Sequence, residues 1–351
     1  MMIIVGAFPP PVHGMATINQ AIFERLIKEG RVVEKINSSP PSLKADIYSR
    51  ILSRIKIFIP IWLRLLRKNL SKGIVYIPLS GGNGQIYDAI TVLFIRLKGA
   101  KCVIHHHSDA YLDRKSLLAA FLFKLAGRNA VHIVLCEGMK IKLQEKYGIM
   151  LVSVLSNLVL LWSDIPKKKE IKLRTIGFLS NITKEKGGWE VIRLAEAIRK
   201  RGWPIKLKVA GPCEDLRLLQ SLQNAHDDNL LEWIGPVYAK QRDEFWSSID
   251  LFVFPTNYKN EAEPLVVWEA LLFENPVLAY DRGCISTQVG SAGKIISKSS
   301  IFVASAMEQL ELWQENPQLY KNCVRDAAKI KESLKGNIEN QWKEFLLMLR
   351  G

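Results

Sequence analysis

The 351-residue chain carries 49 Lys and Arg against 34 Asp and Glu, a formal net charge of +15, with 48% apolar and 24% charged residues. That length favours two domains, each large enough to bury a core, and the apolar and charged fractions are those of an ordinary globular chain. No uninterrupted apolar run reaches the roughly 18 residues a membrane span needs, and the five cysteines are scattered without a C-x-x-C pair, which reads as reduced, intracellular usage with neither a disulfide framework nor a zinc site.

The N-terminal "MMIIVGAF" is a short apolar run with no basic leader that turns at Pro9, so it reads as a first strand over 2–7 rather than a signal peptide. A helix follows over 15–28, closed by Gly30, and the loop His13-Gly14 precedes it. A helix N-terminus there aims unpaired N–H groups at an anion, and Gly14 is needed if a backbone must approach a ligand closely; an ordinary strand-to-helix glycine satisfies the same text.

Between Lys44 and Lys72 eight basic residues face one acid, Asp46, so nearly half of the excess charge sits in one segment. Its apolar residues recur at helical spacing and are interrupted at Pro60, which predicts two amphipathic pieces with a basic face. Such a segment suits an anionic bilayer interface, with Phe58 and Trp62 entering the headgroup layer; a domain helix with a solvated basic face is the plainer alternative. No helix-turn-helix, zinc finger or RNA-binding signature accompanies the charge, so no nucleic-acid partner is expected.

Alternation of strands (74–79, 102–107, 131–136, 151–155) and helices (85–97, 113–126, 138–147) carries the first half to residue 160. Three histidines, His105 to His107, close one of these strands. Alternation sends His105 and His107 to one face and His106 to the other, with His107 nearest the carboxyl end and His105 a core residue. Neighbouring strand positions diverge and no matching acid or cysteine pair stands nearby in sequence, so no metal site is expected. The stretch 161–170, charged and poor in apolar residues, is the linker, and a second alternating series occupies 171–330, followed by a C-terminal helix over 331–351 that needs an apolar surface to cover, such as the first domain.

The most informative stretch is "EAEPLVVWEALLFENPVLAYD". Pro264 fits the first position of a helix running through Leu265 to Leu272, which leaves Glu261 in the loop before it and Glu269 inside it. On these residues alone, the acids fit a favourable first turn with Glu269 facing water as well as they fit a ligand site.

The second half resembles the nucleotide-binding domain of retaining glycosyltransferases of the GT-B fold, glycosyltransferase family 4. The matching pieces occur in order: "GFLSNITKEKG" (177–187), "LKVAGP" (207–212), "LEWIGPV" (231–237), "DLFVFPT" (250–256), the E-x7-E pair Glu261 and Glu269, and "NPVLAYDRG" (275–283). "GAFPPPVHGMA" and "HHHSDAY" occupy the places of the family's glycine and histidine loops. The resemblance implies an α/β fold of two Rossmann-like doubly wound domains facing a cleft. It also implies a retaining enzyme that moves a sugar from a nucleotide-sugar donor, with no metal and no other cofactor, to a glycan or lipid-linked acceptor. The setting it suggests is surface polysaccharide or glycolipid assembly at the cytoplasmic face of a membrane.

Residue by residue, Lys186 matches the family's phosphate-holding lysine, Glu261 the acceptor of donor-sugar hydroxyl bonds, and Glu269 the partner of the ribose hydroxyls. His107, nearest its strand's carboxyl end, is the candidate to contact the donor sugar or orient the acceptor, and the helix N-termini at Gly14 and at the 261–265 loop, with Pro264 and Leu265, are the best-placed anion holders for the donor phosphates. Two departures stand out: Phe178 replaces the family arginine, with Lys184 or Arg282 as possible substitutes, and Ala262-Glu263-Pro264 replaces the common Gly-Phe-Gly. The missing arginine keeps open a sugar-nucleotide-binding or membrane-adaptor protein that has lost turnover; a nucleotide-sugar epimerase or hydrolase of the same fold is the other alternative.

Overall fold

A computed structural model describes residues 1–11, 14–39, 47–160 and 171–349. His13, the beginning of the basic segment from Lys44 to Asp46, and the expected linker 161–170 lie outside them. The chain divides into two compact units, Met1–Leu161 together with Ile338–Gly351, and Trp162–Asn337.

The first unit is built on β1 (Met2–Gly6), β2 (Val33–Asn37), β3 (Ile74–Leu79), β4 (Lys101–His106), β5 (Val131–Val134) and β6 (Val152–Val154). All pair in parallel, in the order β2-β1-β3-β4-β5-β6. The second is built on β7 (Thr175–Leu179), β8 (Lys206–Ala210), β9 (Glu232–Trp233), β10 (Leu251–Phe254), β11 (Val277–Tyr280) and β12 (Gly293–Ile296). These too are parallel, in the order β12-β11-β10-β7-β8-β9.

Central strands such as β1, β10 and β11 are buried at every position, because helical crossovers cover both faces of a parallel sheet and leave no polar face to alternate with. In each unit the winding direction reverses between two neighbouring strands, β1 and β3 in the first, β7 and β10 in the second. Loops leaving those two strands depart to opposite sides, and the crevice this opens at their carboxyl ends is where such folds bind ligands.

The basic segment forms one helix, Ile47–Arg67, running through Pro60 rather than breaking there. Proline removes one i→i−4 bond, and Pro60 lies on the exposed side, where water can satisfy the freed carbonyl. Phe58, Ile61 and Leu65 are buried, Phe58 stacks on Tyr87 at 5.1 Å, and Trp62 Nε1 donates to Thr91 Oγ1 at 3.0 Å. Phe58 and Trp62 therefore pack against the helix Gln85–Leu97, which corrects the expectation that they reach into a headgroup layer. The adjacent stripe, Ile51, Ile55, Ile59, Leu63 and Leu66, stays exposed together with Leu52.

The tail is two helices, Phe302–Glu315 and Pro317–Met348, so the last helix begins well before residue 331. From Ile338 onward it belongs to the first unit. Trp342 is buried there beneath the Arg25 guanidinium, 4.4 Å from the ring centroid, and donates from Nε1 to Glu29 Oε1 at 3.1 Å, while Phe345 meets Tyr76 edge-on at 6.4 Å. Cys102, Cys213 and Cys323 carry free thiols, whereas Cys136 and Cys284 are disulfide-bonded, so the expectation of wholly reduced cysteines fails at those two.

Candidate active site

In the second unit, β10 is followed by Pro255-Thr256 and its loop leads to the helix Leu265–Leu272. Pro264 occupies the N-cap, with φ −68° and ψ 125°, one position earlier than its expected place inside the helix; its carbonyl accepts from Val267 N and from Gln288 Nε2, both at 3.2 Å. Leu265 is the first helical residue, so its N–H belongs to the turn whose donors find no partner within the helix.

Glu261 is buried in the loop before this helix, where its Oε2 accepts from Thr256 Oγ1 at 3.3 Å and pairs with the Lys186 ammonium. Lys186 also lies 4.8 Å over the Tyr258 ring. Two glycines make this meeting possible. Gly187 has φ +90°, and a Cβ there would come within 2.5 Å of the Pro255 carbonyl oxygen, so only glycine lets the loop after β7 lie against the end of β10. The two loops are joined by Asn257 N donating to Glu185 O at 2.7 Å. Gly283, at φ +57°, supports the other side: a Cβ there would lie 2.1 Å from the Ala262 carbonyl oxygen, which accepts instead from Cys284 N at 2.6 Å. Glu261 is thus fixed by the ends of β7, β10 and β11 together.

Glu269, inside the helix, faces neither water nor Lys186. Arg242 grips it with Nε at 2.9 Å from Oε2 and Nη2 at 2.8 Å from Oε1, and Trp246 Nε1 donates to Oε2 at 3.1 Å. Burial pushes the Glu269 carboxyl above its ordinary range, and the Arg242 charge and hydrogen bonds pull it back. Sequence reasoning missed Arg242 and Trp246. They are four apart on the helix Lys240–Ser248 and share one face, yet nothing in their spacing shows which carboxylate that face meets. Phe178, standing where the family arginine is expected, is fully buried in β7, so no cation occupies that place. Lys184 is exposed and Arg282 half-buried.

In the first unit, the histidine cluster divides as alternation requires. His105 and His107 share a face with ring centroids 4.1 Å apart, while His106 on the other face contacts Tyr111 Oη at 2.8 Å and His132 Nδ1 at 2.9 Å. His105 Nδ1 meets the Tyr76 hydroxyl, but its Nε2 has no hydrogen-bond partner among the described residues, so this core histidine is only half satisfied. His107 follows the last residue of β4 and is half-buried; its Nε2 is also without a partner among the described residues. Burial lowers all of these imidazoles, His107 to about 4 and His132 to about 3, so they are neutral at pH 7. Beside the carboxyl end of β3, the buried Asp88 accepts from Ser80 N at 2.8 Å and is raised by burial to about 7. Gly14 begins the helix Gly14–Lys28; a Cβ there would touch nothing within 4 Å, so packing within the unit gives no reason for a glycine.

Lys186 and Glu261 are therefore brought together in the second unit, with Pro264 and Leu265 in the same loop-and-helix turn and Glu269 held separately by Arg242. Gly14 and His107 lie in the first. Among the described residues, no group of three or more His, Cys, Asp or Glu is arranged to hold a metal ion, and no helix is long and apolar enough to cross a membrane.

Comparison with known proteins gives this arrangement its class. At 12% identity the chain superposes on sucrose-phosphate synthase from Thermosynechococcus elongatus with a TM-score of 0.73, over 99% of this chain and 98% of that one. Anabaena Alr3699/HepE in complex with UDP and glucose gives 15% identity and a TM-score of 0.65 over 98% of both chains. A mutant of S. aureus TarM, in complex with fondaparinux, alpha-GlcNAc-glycerol and UDP, gives 14% and 0.65 over 85% of this chain; the chain spans 59% of TarM. At such identities the likeness shows the fold, the GT-B pair of Rossmann-like domains. In sequence, residues 163–330, just under half of the chain, match the family described as glycosyl transferases group 1. No curated protein matches the chain. The family match and the structural neighbours together support a glycosyltransferase.

Proposed function

We propose that the protein is a retaining glycosyltransferase that moves a sugar from a nucleotide-sugar donor to a membrane-held glycan acceptor. The observation that carries this reading is the Lys186–Glu261 pair, locked by Gly187 and Gly283 at the carboxyl ends of β7, β10 and β11. A bound donor would exchange that pair for better partners: its diphosphate takes the ammonium, and its sugar hydroxyls donate to the freed carboxylate. Glu269, aimed by Arg242, accepts from the ribose hydroxyls. The first helical turn, from Pro264 and Leu265, adds N–H donors and a positive dipole end for the phosphates. That HepE and TarM were solved with UDP supports a nucleotide-sugar donor.

Departure of the nucleoside diphosphate is then helped by Lys186 and backbone dipoles without a metal ion, and catalysis consists mostly of positioning and charge stabilisation. His107, neutral at pH 7, offers a hydrogen bond to a donor or acceptor hydroxyl, and Gly14 leaves room for backbone approach. The helix Ile47–Arg67, basic on one side and with an exposed aliphatic stripe, supports residence on the cytoplasmic face of an anionic membrane, beside a lipid-linked acceptor of surface polysaccharide or glycolipid assembly.

Phe178 favours one second reading, a sugar-nucleotide-binding protein without turnover. Release of nucleoside diphosphate from a panel of UDP-, GDP- and ADP-sugars separates the two. The transferase releases it only when a glycan acceptor is present and yields a product heavier by one sugar. A protein that binds a donor, stabilised by about 2.7 kcal/mol at 100 times the dissociation constant, yet releases nothing with any acceptor supports the second reading.

A further inference from the structure

The helices Ile47–Arg67, Gln85–Leu97 and Leu117–Ala126 lie side by side in one layer of the first unit. Phe58 and Trp62 tie the first to the second, the latter ring 6.0 Å from Phe94. The second and third flank a groove of about 530 Å³, lined by Leu93, Leu97, Phe121 and Leu125, with Arg96 and Lys124 in its wall. Two features set this groove apart from ordinary surface. Leu97 is 68% exposed and Phe121 59%, and the neighbouring helix adds its own exposed apolar stripe from Ile51 to Leu66. The charge is also of one sign: the three helices contain seven Lys and Arg and a single acid, Asp88, which is buried.

Arg64 is matched by Glu34 at 2.7 Å, but Lys56, Arg67, Arg96 and Lys124 have no carboxylate within 4.0 Å among the described residues. Arg96 is nevertheless held in place, since its Nη1 donates to Ala126 O at 3.0 Å, and a guanidinium with five donors has others left for a ligand. An apolar trough with cations on its rim and no competing acid matches an amphiphile that has a hydrocarbon tail and an anionic head.

We propose that this groove binds an anionic phospholipid, its acyl chain along Leu97, Phe121 and Leu125 and its phosphate on Arg96 and Lys124. The aliphatic stripe of Ile47–Arg67 then rests in the same leaflet. The inference rests on the membrane-facing part of the proposed function and extends it from a charged helix to a defined lipid site. A protein partner would need an acidic, apolar surface spanning three helices, whereas a bilayer presents both properties everywhere.

The test uses the full chain and two probes: dihexanoylphosphatidylglycerol below its critical micelle concentration, followed by calorimetry, and phosphatidylglycerol or phosphatidylcholine vesicles, followed by sedimentation. Phe121→Asp and Lys124→Gln alter exposed side chains, and an unchanged melting temperature and UDP response confirm that each variant is folded. The double variant is expected to bind the short-chain lipid at least tenfold more weakly than the parent, with glycerol phosphate alone failing to compete. Equal lipid binding by parent and variant overturns the groove, as does glycerol phosphate competing as well as the lipid, which reduces the site to a phosphate contact. Vesicle binding lost in Lys56→Gln, Arg64→Gln, Arg67→Gln but intact in the groove variant overturns the groove and leaves the membrane reading standing. A parent that binds neither vesicle overturns both.

Discussion

The carboxyl edges of the two sheets differ in their balance of charged and neutral groups. In the second unit the edge carries full charges in matched pairs, Lys186 with Glu261 and Arg242 with Glu269. In the first unit the edge carries a row of neutral imidazoles, with both His105 and His107 keeping an unpartnered Nε2 among the described residues, beside the charge pair of the buried Asp109 with Lys142 at 3.0 Å. The difference teaches how one fold divides its labour. A diphosphate demands cations, and a cation kept close to a carboxylate until the ligand arrives is oriented and partly desolvated already. Under the proposed function, a hydroxyl-rich acceptor needs hydrogen bonds without net charge, which the half-buried, neutral His107 would supply.

The largest effect that would break this comparison lies at the first pair. Lys186→Ala and Glu261→Ala should each lower acceptor-dependent turnover at least about 10²-fold, the usual scale for losing one preorganised electrostatic contact. His107→Ala, on the neutral edge, should cost about tenfold by removing a single uncharged hydrogen bond. Steady-state kinetics in which His107→Ala costs more than Lys186→Ala would invert the assignment.

Next comes the second pair. Arg242→Ala strips a mostly buried carboxylate of its partner, so it should lower stability by about 2 kcal/mol in urea titration, less than for a fully buried pair because Arg242 is partly exposed. Nucleoside diphosphate affinity should fall with it. The double variant Arg242→Ala, Glu269→Ala should recover part of the stability and none of the affinity, and a cycle in which the two losses simply add would show that Arg242 does not act through Glu269.

The neutral edge has its own signature in pH. His105, His106, His107 and His132 are all held below the ordinary histidine value, His107 at about 4 and His132 at about 3. The unfolded chain therefore binds protons that the folded one refuses, and stability should fall as pH drops from about 6.5 towards 4. Asp88, raised to about 7, acts in the reverse sense: between about 4 and 7 the folded state keeps a proton the unfolded state has lost, so its contribution falls as pH rises. Melting temperatures from pH 7 to pH 5 should decline, and Asp88→Asn, which removes the opposing titration, should steepen the decline by a few degrees. A flat profile would mean that the imidazoles are not held neutral.

Much of the second unit was legible in the sequence because its strands are short apolar runs and its glycines sit where loops must cross closely. Lys186-Gly187 and the 275–283 stretch ending in Gly283 mark two of the places where a Cβ would strike backbone. What the sequence did not show were contacts that depend on which elements become neighbours. Arg242 reaches Glu269 only because the helix Lys240–Ser248 packs beneath the sheet, with Asn275 Nδ2 donating to Trp246 O at 2.8 Å as a further tie. The periodicity of residues 47–67 pointed to an amphipathic helix but not to which of its two apolar stripes packs inward. Phe58 and Trp62 do so because Tyr87, Thr91 and Phe94 offer them a ring, a hydroxyl and a second ring on the helix alongside.

The most direct test is a calorimetric titration of UDP, GDP and ADP, in EDTA, into the parent chain and into Glu269→Ala and Glu261→Ala. One nucleoside diphosphate should bind the parent without added metal, Glu269→Ala should weaken it about tenfold by removing the ribose acceptor, and Glu261→Ala should not weaken it, because that carboxylate serves the sugar and its loss frees Lys186 for the diphosphate. Equal losses in both variants, or binding that appears only when Mg²⁺ or Mn²⁺ is restored, would contradict the account.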